Sequence, residues 1–343
     1  MYKILNSDAI EWNKYIEKLP FEKRDIYFTR EYLKLYEING DGTAKLFVYE
    51  EDKNIAIYPF LIREIEGYSL DNTYYDMESA YGYGGPVVSN ENDNKFLQNF
   101  ERIFIQYCND NNIIAEFIRF NPCIKNEKIF TNNIAVIKNR TTVSLNLNKT
   151  IDDIWKNDIK SKNRNMIRKA EKNGLYVEIK NDYSTFKEIY EETMGKVSAY
   201  EYYYFKPSYY DNMENDKNYI MLNVKLEDKI IASAIFMKYG EYFHYHLAGS
   251  RKEYLGFAPN NLLLWEAIKY ANQNGYKLFH FGGGLTNSLE DNLFKFKSSF
   301  SNDSLEFYIG KRIHNVEIYN FLINKWEEGH NRKASILLQY REV

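Results

Sequence analysis

The sequence predicts an α/β (α+β) chain in which one domain of about 150–170 residues occurs twice, each copy a mixed sheet flanked by helices. Three observations predict it. The chain has 343 residues, room for about two domains. The run from Leu46-Phe47-Val48 through Glu51-Asp52-Lys53 to Phe60 matches the run from Leu222-Asn223-Val224 through Glu227-Asp228-Lys229 to Phe236, at a constant offset of 176 residues. A second echo pairs Ile105, Tyr107, Asn109 and Asn111 with Ile268, Tyr270, Asn272 and Asn274 at an offset of 163. Two echoes in the same order place the first domain at 1–145, completed by a C-terminal helix from 315–343, and the second at 146–314. No Pro- or Gly-rich linker separates them.

The elements follow in order. Each copy of the first echo reads as a hairpin: an alternating strand, a polar Glu-Asp-Lys turn, then an apolar strand. Each copy of the second reads as a helix with an Asn-rich stop and a strand after it, 113–120 and 276–281. In the second half, helices are expected at 151–173 and 184–194, hairpin strands at 220–226 and 229–239, and a strand at 242–248. A helix over 260–273 ends at Asn274-Gly275, and the strand after it runs into Gly282-Gly283-Gly284. The amphipathic segment 315–339 is expected to be helical.

Composition excludes several classes. Lys+Arg 45 against Asp+Glu 48 gives a net charge of −3, unlike a protein that coats nucleic acid indiscriminately. Two cysteines, Cys108 and Cys123, make neither a disulfide framework nor a metal-type spacing. The N-terminus lacks an apolar core of signal-peptide length, and the longest apolar runs, 55–62 and 230–237, are strand-length. The expectation is a soluble, cytoplasmic protein.

Four stretches carry a family likeness: Tyr81-Gly82-Tyr83-Gly84-Gly85-Pro86, the basic run Lys160 to Lys172, Tyr245-His246-Leu247-Ala248-Gly249-Ser250, and Gly282-Gly283-Gly284 followed by Phe296-Lys297-Ser298-Ser299-Phe300. With the element order, they resemble the GNAT N-acyltransferase fold present twice, as in the Fem family. That family transfers amino acids from aminoacyl-tRNA onto peptidoglycan precursors. Larger Fem members carry a helical-hairpin arm; no heptads of that length occur here, so the resemblance is to the armless members. It implies no cofactor, with aminoacyl-tRNA as donor and a lipid-linked or UDP-linked muropeptide as acceptor.

Candidate site residues follow. Lys160, Arg164, Arg168 and Lys172 recur every fourth residue, so a helix aligns them along one side, with Trp155, Ile159, Met166 and Ala170 as a core-facing stripe. Such a row suits an RNA backbone, and Arg164 or Arg168 suits the diphosphate of a nucleotide sugar. In Leu293-Phe294-Lys295-Phe296-Lys297, a strand would face Lys295 and Lys297 one way and the phenylalanines the other. The resemblance makes Phe296 and Lys297 the catalytic step of the donor site, Lys297 stabilising the oxyanion. Tyr81 and Tyr83 would face the acceptor, and Lys34 would bind phosphate by resemblance alone. Tyr203 and Tyr204, in a cluster with Tyr202, Tyr209 and Tyr210, would hold a sugar or uracil ring. Asp76 and Glu78, just before the Tyr-Gly run, read first as surface-loop residues, with acceptance of a proton from an attacking ammonium as the functional alternative. His244, His246 and His280 raise the question of zinc, but the fold resemblance predicts no metal, leaving His246 as a hydrogen-bonding residue of the cleft.

The donor is read from one departure. Acyl-CoA enzymes of this superfamily cradle pyrophosphate in a glycine-rich turn before a helix. The matching stretch Arg251-Lys252-Glu253-Tyr254-Leu255-Gly256-Phe257-Ala258-Pro259-Asn260 keeps Gly256 and Ala258, but Pro259 has no N–H and Phe257 adds bulk. Asn260 opens that helix at the substrate. The first reading is therefore transfer from aminoacyl-tRNA to an amine of a peptidoglycan precursor. The second is an acyl-CoA-dependent N-acyltransferase acting on an amino sugar or nucleotide sugar. The third is a non-catalytic binding module.

Overall fold

The structure, a computed structural model, describes residues 1–196 and 204–342. The chain forms two compact units, Met1–Asn139 with Phe307–Val343, and Arg140–Glu306. The crossings at 139/140 and 306/307 thus fall inside strands, some residues before the expected boundaries at 145/146 and 314/315.

The first unit begins with β1 (Tyr2–Asn6), α1 (Trp12–Glu17) and α2 (Arg30–Asn39). Thr29 caps α2 by accepting from the Tyr32 N–H, and Gly40 ends it at φ 100°, a left-handed conformation that glycine adopts without strain. The hairpin β2 (Thr43–Glu51) and β3 (Asn54–Glu64) follows, then β4 (Tyr75–Glu78), β5 (Val87–Val88), α3 (Asn94–Asp110) and β6 (Ile113–Arg119). β7 (Ile134–Asn146) carries the chain into the second unit.

There it forms α4 (Ile151–Asp153), running directly into a π turn at Ile154–Asp158, then α5 (Ser161–Lys172), β8 (Leu175–Ile179), α6 (Tyr183–Lys196) and α7 (Pro207–Glu214). Next come β9 (Tyr219–Leu226), β10 (Lys229–Tyr239), β11 (Tyr242–Ser250), α8 (Pro259–Gln273), β12 (Leu278–Gly282) and α9 (Asn292–Lys297). β13 (Ser304–Ile313) returns the chain to the first unit, which α10 (Val316–His330) completes. Asn331, at φ 50°, stops α10 well short of the expected end at 339.

The strand order is β1-β2-β3-β4-β6-β13 in the first unit, with β5 on β3, and β7-β12-β11-β10-β9-β8 in the second. Each unit contains one parallel pair among these neighbours, β4 with β6 and β11 with β12. The duplicated hairpins differ by one residue. Glu51 pairs with Asn54, whereas Leu226 pairs with Lys229, and β10 takes up a bulge between Ile230 and Ala232. A gapless repeat in sequence therefore folds with a shifted turn.

The first core is aromatic: Phe47, Tyr58 and Phe60 pack against Phe100 and Phe104 of α3 and against Phe130. Leu322 and Trp326 of α10 cover Ile114 and Ala115 on β6. Within this unit Arg312 is buried with two carboxylates, Glu101 at 2.5 Å and Glu116 at 2.9 Å. Tyr58 donates to Glu116 at 3.0 Å. Burial alone would push the Glu116 carboxyl up; Arg312, with His314 and Tyr58, holds it below the usual range.

In the second unit α5 and α8 cover one face of the sheet, joining Phe236, Phe243, Phe279 and Phe281 in one core. α6 covers the other. It lies so close that a Cβ on Gly249 would sit 2.7 Å from the Ile189 carbonyl oxygen. The core stripe of α5 is Asn163, Ile167 and Ala170. The four residues expected to face the core do so, Ile159 and Ala170 buried and Trp155 and Met166 partly buried against them, but Trp155 and Ile159 reach it from in and just after the π turn rather than from the helix.

Candidate active site

The parallel ladder between β11 and β12 covers three residue pairs, Tyr242–Leu278, Phe243–Phe279 and His244–His280. Beyond them β11 continues to Ser250 on β10, while β12 ends at Gly282 against β7. The two strands part there and leave a gap in the sheet. β11 also bulges at this point: Tyr245 opposes Phe236 and Leu247 opposes Ile235, so His246 is the extra residue. The corresponding pair in the first unit is closed. Ser79 N–H donates to Phe117 O at 3.0 Å and Gly84 N–H to Arg119 O at 2.6 Å, so the segment after β4 fills the space beside β6. Of the two copies, only the second presents an opening between its parallel strands among the described residues.

Lys297 stands at that opening. It ends α9 rather than a strand, which corrects the expected alternation. On a helix, Lys295 is carried to the surface, where it pairs with Glu290, and Lys297 turns inward to 8% exposure. Its ammonium donates to Gly283 O at 2.8 Å and lies 5.6 Å from the centre of the Tyr245 ring. Burial, opposed by Asp291 and aided by Arg140, pulls the Lys297 ammonium down to about 7. Phe296 does not share the opening: it is half-buried, 5.5 Å edge-on to Phe300, as part of the core.

The glycine run before α9 is held from three sides. Lys297 takes Gly283 O, and Arg140 donates to Gly284 O at 2.9 Å and to Leu285 O at 3.5 Å. Asp291 accepts from the Leu285 and Thr286 N–H groups at 3.1 and 3.0 Å, and from those of Leu293 and Phe294 at 2.9 and 3.0 Å. One carboxylate thus caps α9 and folds the loop against it. A Cβ on Gly284 would lie 2.5 Å from Asp291 Oδ1. We expect Gly284→Ala to expel that cap, at a cost of about 0.5–2 kcal/mol, and to lower turnover by displacing Lys297. An unchanged kcat with an unchanged denaturation midpoint would contradict this.

Opposite the α5/α8 face, His246 Nε2 is 2.9 Å from the Tyr209 hydroxyl, and Tyr209 stacks on Phe205 at 4.1 Å. Burial pushes the His246 imidazole down to about 3, with His244 adding to it, so the ring is neutral. His244 and His280 meet edge-to-face at 5.6 Å, and His280 Nε2 is 3.0 Å from Thr142 Oγ1.

The other sequence candidates are dispersed. Arg164 is half-buried, and its Nη1 donates to the carbonyls of Trp155, Lys156 and Ile159, so it holds the π turn to the helix. Arg168 is exposed and lies over the Trp155 ring at 5.4 Å. Asn260, in the first turn of α8, reaches Ser250 Oγ at 3.3 Å. Tyr204 is exposed, and Tyr203 lies outside the described residues. In the first unit Tyr83 packs edge-on to Tyr27 and Phe307, and the Tyr81 carbonyl accepts from the Tyr32 hydroxyl. Lys34 is exposed, a half-turn of α2 away from Tyr32 and Tyr36, and so is not gathered with them. Asp76 and Glu78 are not proton acceptors in waiting: Arg341 pairs with both, and Arg119 reaches Glu78 at 3.0 Å. Arg140 and Asp291 were not singled out from sequence. Asp291 carried a signal, an N-cap residue before an apolar run; Arg140 carried none.

A family model described as an acetyltransferase (GNAT) domain matches residues 160–295, all within the second unit. The UDP-N-acetylmuramoylpentapeptide-lysine N(6)-alanyltransferase of Weissella viridescens is 24% identical over 300 residues, spanning 80% of this chain and 86% of that one. The crystal structure of FemX superposes with a TM-score of 0.71 at 16% identity, covering 94% of this chain and 99% of that one. Over most of its length the chain is thus similar to a muropeptide alanyltransferase and has the fold of FemX. L-PGS from Bacillus licheniformis shares the fold more distantly, with a TM-score of 0.58 at 15% identity over 90% of this chain and 92% of that one. No helix among the described residues is long and apolar enough to cross a membrane.

Proposed function

We propose that the chain transfers an amino acid from aminoacyl-tRNA to an amine on a peptidoglycan precursor peptide, in the cytoplasm and without a cofactor. The observation that carries the reading is the buried Lys297 ammonium at the only opening between parallel strands among the described residues. The free amine attacks the ester carbonyl carbon, and its electron pair forms the new C–N bond. The carbonyl π electrons move to oxygen, whose negative charge the Lys297 ammonium stabilises. Collapse breaks the C–O bond, and the terminal ribose oxygen leaves with the proton lost by the amine. The ester is already activated, so no covalent enzyme intermediate is needed. Lys297 carries its charge below about pH 7 and loses it above, whereas the acceptor amine must be uncharged to attack. Activity therefore has an acid limb from the substrate and an alkaline limb from Lys297.

The donor is read from α5. Between Lys156 and Lys172 stand seven basic residues, and none forms an ion pair among the described residues. Six of the seven are exposed. Asp158, one of the two acids there, is taken by Lys149 at 2.9 Å. An unneutralised row on an otherwise acidic chain suits a phosphate backbone. At the start of α8, Pro259 offers no N–H and the Ala258 N–H is spent on Leu255 O, which disfavours a coenzyme A pyrophosphate there. Replacing Lys160, Lys162, Lys169 and Lys172 together by Gln is expected to weaken donor binding. It should also flatten the log–log dependence of affinity on salt by about 0.7–0.9 for each phosphate no longer neutralised. An unchanged slope would remove α5 from the donor site.

The deciding experiment supplies labelled aminoacyl-tRNA or labelled acetyl-CoA to the purified protein with muropeptide precursors and nucleotide sugars. RNase-sensitive labelling of the muropeptide is the expected result. Labelling from acetyl-CoA alone would replace this reading with a sugar N-acyltransferase, and tight acceptor binding without transfer from either donor would leave a binding module.

A further inference from the structure

Arg140 and Lys297 act on consecutive carbonyls of one glycine run. Lys297 holds Gly283 O, and Arg140 holds Gly284 O and, at 3.5 Å, Leu285 O. Arg140 packs flat against the run, since a Cβ on Gly283 would lie 2.9 Å from its Cδ. The side chain reaches the loop from β7, whereas Lys297 reaches it from α9. A loop carbonyl alone does not need a guanidinium, because loop carbonyls at half-exposed positions are satisfied by water. Two cations set side by side repel, and that arrangement disfavours the charge on whichever of them can lose a proton. Arginine cannot, so the burden falls on lysine.

We propose that Arg140 is a positioning residue of the transfer site: it fixes the glycine loop on which Lys297 rests and keeps a permanent positive charge on the carbonyl next to the one Lys297 holds. This rests on the proposed transfer reaction only for its consequence in activity. The charged and titratable groups that face Lys297 are Arg140 from β7, Asp291 from the start of α9, Tyr245 from β11 and His280 from β12. Asp291 works against Arg140, raising what the guanidinium lowers. Its carboxylate is already bound to four backbone N–H groups, so the opposing charge is held in a fixed place.

The test follows the titration of Lys297 by NMR in protein with labelled lysine, assigned by comparison with Lys297→Met. Arg140→Gln removes the positive neighbour, so the ammonium becomes easier to keep and its midpoint moves up, by roughly half a pH unit or more. Arg140→Lys keeps the charge and leaves the midpoint near its original value. In the transfer assay the alkaline limb of kcat moves up with Arg140→Gln and stays in place with Arg140→Lys. A midpoint unmoved by Arg140→Gln, or moved equally by both variants, would overturn the proposal; a merely structural arginine would lower activity at every pH without moving the limb. The NMR readout needs no substrate. Failure of the wild-type protein to transfer an amino acid would thus refute the reaction while the role of Arg140 is still decided by the titration.

Discussion

Replacing Lys297 by methionine lowers kcat by about 10²–10³-fold, the usual effect of removing one preorganised donor from an oxyanion site. Acceptor affinity stays as it was, because the proposed role puts the ammonium at the reacting carbonyl and not at the acceptor's distant groups. Methionine keeps the length and most of the apolar stem, so the packing against Tyr245 and the burial of α9 survive. What disappears is the charge and the hydrogen bond to Gly283 O. The alkaline limb assigned to Lys297 disappears from the residual activity as well, since nothing that titrates near pH 7 remains at that position. Equal turnover, or a loss confined to KM, would exclude Lys297 from the chemical step.

Arg312→Met has the largest expected effect on stability. The guanidinium is 1% exposed and lies between Glu101 and Glu116, which are no more exposed. It also packs over the Phe130 ring at 4.4 Å. Removing it leaves two buried carboxylates without their shared arginine, with His314 and Tyr58 still beside Glu116, at a cost of about 3–5 kcal/mol at neutral pH. The pH dependence follows from the sign. In the wild type Glu116 titrates below its usual range, so its stabilising contribution is present above the unfolded-state value and is lost as the pH falls through the lowered one. In the variant burial acts unopposed by arginine and the folded value rises, so acidification from pH 7 to 5 relieves part of the damage. Denaturation midpoints at the two pH values check both parts. An undiminished midpoint at pH 7 would mean that the network contributes no net stability.

Much of this architecture was legible in the chain. The hairpins were readable because strand alternation and a polar turn are local signals, and repetition at a fixed offset made each copy evidence for the other. The helix-to-strand passages over α3–β6 and α8–β12 were readable from their Asn-rich stops. The site was less so. Phe294-Lys295-Phe296-Lys297 alternates over four residues, too short a stretch to separate a strand from one turn of helix, and Asp291 settled it by capping the first turn. The fourfold spacing from Lys160 to Lys172 was correctly helical. It did not show that Arg164 would be spent on the carbonyls of Trp155, Lys156 and Ile159, because the π turn that exposes those carbonyls has no pattern of its own.

Short segments of sequence were enough to predict the fold class, the duplicated hairpin and the cationic row on α5, and to single out Lys297 as the candidate for the chemistry. These rest on residue type, periodicity and resemblance, which are properties of short segments and of their recurrence. The tertiary structure alone decided which copy is open. The segment after β4 closes one pair of parallel strands by hydrogen bonding to β6, while β11 and β12 part after three residue pairs. It alone set Arg140 beside Lys297, 157 residues later in the chain, and tied Asp76 and Glu78 to Arg341. The physical reason is the same in each case. The charge, burial and hydrogen bonding of a side chain are set by neighbours distant in sequence, and no local pattern records them.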